Sequence, residues 1–310
     1  MNKKVKKKNK TKWLQKMVLT MAVLVLLFLI LGILTLAALI GKTIEEQLKA
    51  TQGSFGTQAV EHLSEKDEVQ EHEHEDSTIS GNGELSDEEK VRERIRSFAQ
   101  EHHLSVRDYP EPLIECLVGN PEKEAFVLNY PLKKSTYSNK NLDAYLGQSQ
   151  VPLFLQWDSR WGYYVYGSSV MGVTGCGPTC LSMVALHLLQ DETLTPVYMA
   201  DFAEENGYYI EGVGTDWSFM TDGAKRLGLK VQEVSLTERI VKRHLQQGRP
   251  IICAMRAGDF TETGHFIVLA GVEDGKIRVN DPNSQIRSER LWEFEELQYQ
   301  IKNMWAYSVR

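Results

Sequence analysis

The apolar positions of the first half of the chain fall into one unbroken block and then almost disappear. Met17 to Ile40 is uncharged and strongly apolar. As a helix it would extend about 36 Å at 1.5 Å per residue, enough to cross a bilayer with some tilt. Residues 41–85 show no period, and Glu61 to Asp76 holds eight acids against one lysine. Such a segment buries too little apolar surface to offset its ordering entropy, so a disordered acidic linker is expected. Periodicity returns at Ser86, which with Glu89 makes a capping-box pattern. Val91, Ile95, Phe98 and Ala99 then line one face of a helix reaching about His102. Leu113, Ile114 and Leu117 form a second short helical run. Residues 86–148 read as a helical lead-in.

From residue 149 to 310 the pattern is that of one globular domain. Val151 to Gln156 reads as a short strand. A long helix opens at Cys176 and runs to about Leu189, with Leu181, Val184, Ala185 and Leu188 at helical spacing. A second helix follows Thr195-Pro196, a third spans Phe219 to Leu227, and a fourth runs from Ser235/Thr237 to Gln247. Strands are expected at Val231–Val234, at Pro250–Met255, in a hairpin of His265–Val272 with Lys276–Asn280, and at Trp305–Val309. Helices first and antiparallel strands later is an α+β arrangement.

Charge refines this organisation. The formal net charge is -7, yet the first sixteen residues carry eight lysines and no acid. This basic tail, 1–16, precedes the apolar block. With lysines ahead of the span, the N-terminus is expected to stay cytoplasmic and the rest to lie outside. The apolar core is longer than the ~7–15 residues of a signal peptide, and Thr35-Leu36-Ala37 is a poor cleavage site, so 17–40 reads as an uncleaved signal anchor. The remaining chain is acidic and would be repelled by phosphates, which disfavours a nucleic-acid partner. The His72-Glu73-His74 run is a solvated spacer and lacks the helical spacing of a zinc peptidase.

The chemistry concentrates at Gly175-Cys176-Gly177-Pro178-Thr179. Pro178 suits a helix start, so Cys176 falls at a helix N-terminus, where the macrodipole and free amides favour a thiolate. Gly175 and Gly177 would leave the backbone bare for a substrate carbonyl. Cys180, one turn further in, reads as a core residue. Four cysteines, Cys116, Cys176, Cys180 and Cys253, are few for a disulfide framework. A thiol nucleophile needs a base. His265 follows Gly264 at the mouth of the apolar strand His265–Gly271 and is the best placed of the histidines. His187 and His244 read as structural or surface residues. Asp281 is the candidate to orient His265. A three-residue loop, Glu273-Asp274-Gly275, would set Asp281 opposite Ile267, on the face of His265; a tight two-residue turn without a compensating bulge would turn it away. The Cys176 amide and the Gln156 side chain are candidate oxyanion donors. Trp157, Trp161, Tyr208 and Trp217 are aromatic candidates for a cleft.

Gln156-x-Asp158-x-x-Trp161, the cysteine motif with Met183, Gly214-Thr215-Asp216-Trp217, Gly264-His265-Phe266 and Asn280-Asp281-Pro282 together resemble the C-39-like peptidase family. The resemblance covers roughly residues 150–310. It implies a papain-like α+β fold with the nucleophile helix packed on an antiparallel sheet; the apolar block puts one transmembrane helix ahead of it, and Tyr109 to Lys134 resembles the lead-in of membrane-anchored members from Gram-positive bacteria. The family resemblance also implies Cys176 as nucleophile, His265 as general base and acid, Asp281 as orienter and Gln156 as oxyanion donor. Gly175, Gly177, Trp217 and Gly264 would line the substrate, a peptide or protein, and no metal or organic cofactor is required. Gln156 lies twenty residues before Cys176, further than in leader-trimming members, and their double-glycine substrate is not carried over. A cell-wall amidase or transpeptidase using the same residues, and a non-catalytic surface binding module, are the alternative readings.

Overall fold

The computed structural model describes residues 85–138 and 142–309. The basic tail at 1–16, the expected membrane span at 17–40 and, but for Leu85, the expected linker at 41–85 lie outside the described residues. Among the described residues no helix is long and apolar enough to cross a membrane.

The capping box forms as expected. The Ser86 hydroxyl accepts from the Glu89 amide at 3.2 Å, and the Glu89 carboxylate accepts from the Ser86 amide at 2.8 Å. Helix α1 (Asp87–Glu101) starts there, followed by α2 (Glu111–Gly119), a tight turn at Pro121–Lys123, and α3 (Glu124–Leu128). Ile95, Ala99, Leu113, Leu117, Phe126 and Val127 form a buried cluster that also includes Tyr163 and Val170. The lead-in is thereby packed onto the following domain rather than standing apart from it.

Helix α4 (Cys176–Leu189) is buried on every side from Gly177 to Leu186. An apolar surface all round the helix demands this. Gln190 ends it in a left-handed conformation, φ 54°. Helix α5 (Pro196–Glu205) is capped by the Thr195 side chain, which accepts from the Tyr198 amide. The sheet strands are β1 (Lys230–Glu233), then, after α6 (Glu238–Gln246), β2 (Ile251–Met255), β3 (His265–Glu273) and β4 (Lys276–Asn280). Helix α7 (Gln285–Glu289), β5 (Leu291–Trp292) and β6 (Ile301–Ser308) complete it. Their spatial order is β1-β6-β2-β3-β4-β5, and each pairing is antiparallel.

Strand β2 is buried at all five positions and serves two cores by its period of two. Ile252 and Ala254 join the cluster with α4, while Ile251, Cys253 and Met255 join the cluster with Val241 and Leu245 of α6. The helical layer on one face is as expected. Helix α6 falls between β1 and β2 as expected, and it supplies a second layer by covering the opposite face. Val151 to Gln156 is corrected, because it pairs in no sheet. Pro152 has no amide to offer a ladder. Its stretch is held instead by the Asn280 side chain, which donates to the Val151 and Pro152 carbonyls at 3.0 Å each, and by the Gln156 amide, which donates to the Pro282 carbonyl.

The β3–β4 turn has two residues, not the three expected. Glu273 pairs with Lys276 across Asp274 and Gly275, whose φ values of 51° and 80° suit a tight primed turn. The register then slips between Leu269 and Gly271, leaving Ala270 as a bulge, so that Val268 pairs with Asn280. Asp281 therefore follows opposite Ile267, the position its proximity to His265 requires. The bulge does the work assigned to the longer loop.

A Cβ on Gly172 would run into the Phe126 ring. Gly172→Ala is expected to destabilise the fold by about 1–3 kcal/mol through overpacking. Urea unfolding measures this, and an unchanged midpoint would show that the ring yields freely.

Candidate active site

Four segments converge on the site: the start of α4, the start of β3, the turn after β4, and the loop ending at Gln156. Cys176 is the first residue of α4 and is half-buried. Its amide belongs to the first turn, where helix amides have no intrahelical acceptor. His265 is the first residue of β3, and its side chain is 7% exposed. Asp281 is fully buried immediately after β4.

The His265 ring bridges the other two. Its Nε2 lies 2.7 Å from Asp281 Oδ1, and the ring and the Cys176 thiol are near enough for each to shift the other's titration. With Nε2 held by the carboxylate, Nδ1 is the nitrogen left for sulfur. Burial pushes the Cys176 thiol up, but the hydrogen bond and charge of His265, aided by the Phe266 and Gly177 backbone, hold it below its ordinary value. Burial alone would lower His265. The Asp281 charge and hydrogen bond, with Cys176 on the other side, raise it to about 9. Burial would raise Asp281, and His265 and Arg287 together hold it below the ordinary carboxylate range. Each of the three directions favours the charged form of its group: thiolate, imidazolium and carboxylate.

Asp281 is saturated with donors that motif reading missed. The Asn283 amide reaches Oδ1 at 2.8 Å and Arg287 Nε reaches Oδ2 at 2.6 Å. The Asp281 amide donates to the Ser288 hydroxyl at 2.9 Å. The available signal was the turn-forming Pro282-Asn283-Ser284 run, with Ser284 a helix cap for Arg287 and Ser288 beyond it.

Gln156 is placed differently from its expected role. It is buried, and its Nε2 donates to the Gly172 and Val173 carbonyls at 3.2 and 3.1 Å. Its Oε1 is buried without a partner. The atom it has to spare is therefore an acceptor, the wrong polarity for an oxyanion. As placed, Gln156 ties the segment before Cys176 to Pro282, beside Asp281.

The candidate substrate-lining residues divide. A Cβ on Gly175 would strike Met171, and one on Gly177 would strike Thr215. Both glycines are buried, so close packing rather than substrate approach demands them. Gly264 has open space where a Cβ would be. Trp217 is 37% exposed, edge-on to Trp305, with Lys302 over its face. Trp161 and Tyr208 are core residues, and the half-buried Trp157 donates to the Asn283 carbonyl. The four cysteines are free thiols, and Cys180 is buried as expected. His187 is half-buried on α4 and His244 is buried on α6. Among the described residues no group of acidic, histidine and cysteine side chains is arranged to hold a metal ion.

The model of the Peptidase C39 like family matches residues 148–310, more than half of the 310-residue chain. Among solved structures, the peptidase domain of Streptococcus ComA, a bi-functional ABC transporter involved in quorum sensing, is 17% identical. That match covers 44% of this chain and 93% of that one, with a TM-score of 0.35. A protein from Bacillus anthracis described as a C39-like peptidase is 16% identical, over 52% of this chain and 96% of that one, with a TM-score of 0.37. A double glycine motif protease from an AMS/PCAT transporter, in complex with the leader peptide, is 16% identical over 53% and 97%, with a TM-score of 0.31. No curated protein matches the chain. On the strength of the family match across its C-terminal half, the chain belongs to the Peptidase C39 like family and is a cysteine peptidase.

Proposed function

We propose that this chain is a membrane-anchored, extracytoplasmic cysteine peptidase that hydrolyses peptide bonds through Cys176, His265 and Asp281. The observation that carries the reading is the 2.7 Å hydrogen bond between His265 and the buried Asp281, on a ring coupled electrostatically to Cys176 at the start of α4. The Cys176 thiolate attacks the substrate carbonyl, and the Cys176 amide stabilises the oxyanion. His265 gives its proton to the leaving amine and then activates the water that resolves the acyl-enzyme. Asp281, locked by Arg287 and Asn283, keeps the ring aligned and stabilises its charge. Trp217 and the open edge at Gly264 are the substrate-facing candidates. The anchor at 17–40 and the linker at 41–85 rest on the apolar block, the preceding lysines and the acidic run.

Cys176→Ala and His265→Ala are expected to lower peptide hydrolysis by about 10³-fold or more. Asp281→Asn is expected to lower it by about 10²- to 10⁴-fold, since the amide can hold the wrong ring tautomer. Full activity in either of the first two variants removes the mechanism.

The pH profile should be bell-shaped. The acid limb reports protonation of the thiolate, whose value lies below that of an ordinary thiol. Activity should then fall as pH rises through about 9, where His265 loses its proton and the ion pair with it. Initial rates across pH 5–11, an assay window of roughly that width being enough to bracket both limbs, measure this. An activity still rising at the alkaline end counts against the ion pair.

In intact cells, an external protease should remove the domain after residue 85 while the 1–16 tail stays protected. Protection of the domain would reverse the orientation.

A further inference from the structure

The lead-in contributes one turn that grips both halves of the site. Asn120, buried at the end of α2, donates from its side-chain amide to the Asn283 carbonyl. Two residues on, the Glu122 carboxylate accepts from the Ser284 hydroxyl and from the amides of Gln285 and Ile286, the latter two at 2.8 and 3.1 Å. The next residue, Lys123, is buried and donates from Nζ to the Gly172 carbonyl at 3.0 Å and to Cys116 Sγ at 3.0 Å. That same Gly172 carbonyl, four residues before the nucleophile, also accepts from the Gln156 side chain. Asn120 to Lys123 lie outside the family-matched residues 148–310.

We infer that the Asn120–Lys123 turn is a positioning device for the peptidase site, and that Glu122 is its principal positioning residue, acting on Asp281 through α7. The inference rests on the proposed triad. Helix α7 has five residues, too few to hold a helical turn unaided. Glu122 satisfies its first amides and sets a negative charge at its positive end. So anchored, α7 delivers Arg287 Nε to Asp281 Oδ2 and the Ser288 hydroxyl to the Asp281 amide. Lys123 meanwhile holds the segment entering Cys176 from the same turn. The nucleophile and its orienter are thus referred to one short piece of backbone. The titratable groups facing His265 are Cys176 from α4 and Asp281 after β4, and Arg287 of α7 faces Asp281.

The test compares Glu122→Ala, Glu122→Gln, Asp281→Asn and the Glu122→Ala/Asp281→Asn pair in the full chain. Readouts are kcat, KM, the alkaline limb of the pH profile and circular dichroism. Glu122→Ala is expected to lower kcat by about 10- to 100-fold with KM within about twofold, because the reacting groups lose their alignment. Its alkaline limb should move to lower pH as Asp281 loosens from His265. Glu122→Gln, with one acceptor oxygen for the α7 amides, should recover kcat to within about 3- to 10-fold of the parent. In the Asp281→Asn background, Glu122→Ala should add less than about threefold, since the two act through one group. A folded Glu122→Ala with parental kcat and alkaline limb, beside an impaired Asp281→Asn, overturns the inference and leaves the triad standing. Parental kcat in Asp281→Asn instead removes the triad reading itself. Should Glu122→Ala not fold, Glu122→Gln decides: a reduced kcat with a lowered alkaline limb supports the inference, and a parental profile overturns it.

Discussion

A fully buried carboxylate sets the terms for this molecule. An ionised Asp281 without partners would carry a desolvation penalty of several kcal/mol. The fold meets that penalty from three directions, with the His265 ring, the Arg287 guanidinium and the Asn283 amide. Each donor comes from a different element, so the carboxylate also ties the mouth of β3 to the turn after β4 and to α7. Once those ties are made, His265 is held at the strand mouth with one nitrogen occupied and the other left for Cys176. The electrostatics of the site follow from the position of this one group.

The same environment makes two cysteines on one helix behave oppositely. Cys180 lies one turn into α4, wholly buried, and burial with the nearby Cys176 charge pushes its thiol well up. Cys253 in β2 is raised by burial alone. Cys176 is also desolvated, yet the His265 charge and the Phe266 and Gly177 backbone reverse the outcome. The difference lies in access to amides and to an imidazolium, not in residue type.

The family match begins at residue 148, whereas the described residues from Leu85 onward fall in one compact unit. The lead-in shares a buried cluster with Tyr163 and Val170, and its Asn120–Lys123 turn binds the carbonyl of Gly172 and the start of α7. The physical unit is therefore larger than the domain the family shares. In this chain the backbone at both ends of the site is supported by residues that the shared domain does not contain.

Local pattern was enough to read much of this. The α4 start at Cys176, the α1 capping box, the five buried positions of β2 and the two arms of the hairpin follow from spacing and caps, because those are short-range effects of backbone sterics and apolar period. The cysteine and histidine stood out because few side chains make a nucleophile or a neutral-pH base. Tertiary structure decided the rest. Whether Asp281 faced His265 depended on a bulge at Ala270, which answers to sheet twist and core packing rather than to the turn residues. Gln156 became a tie between segments because neighbouring carbonyls took its amide. Glu122, an ordinary acid in a polar turn by sequence, acquired its place only when folding brought α7 to it across more than 160 residues. Local periodicity records which face of an element is apolar, but it cannot record which distant backbone groups will need a partner.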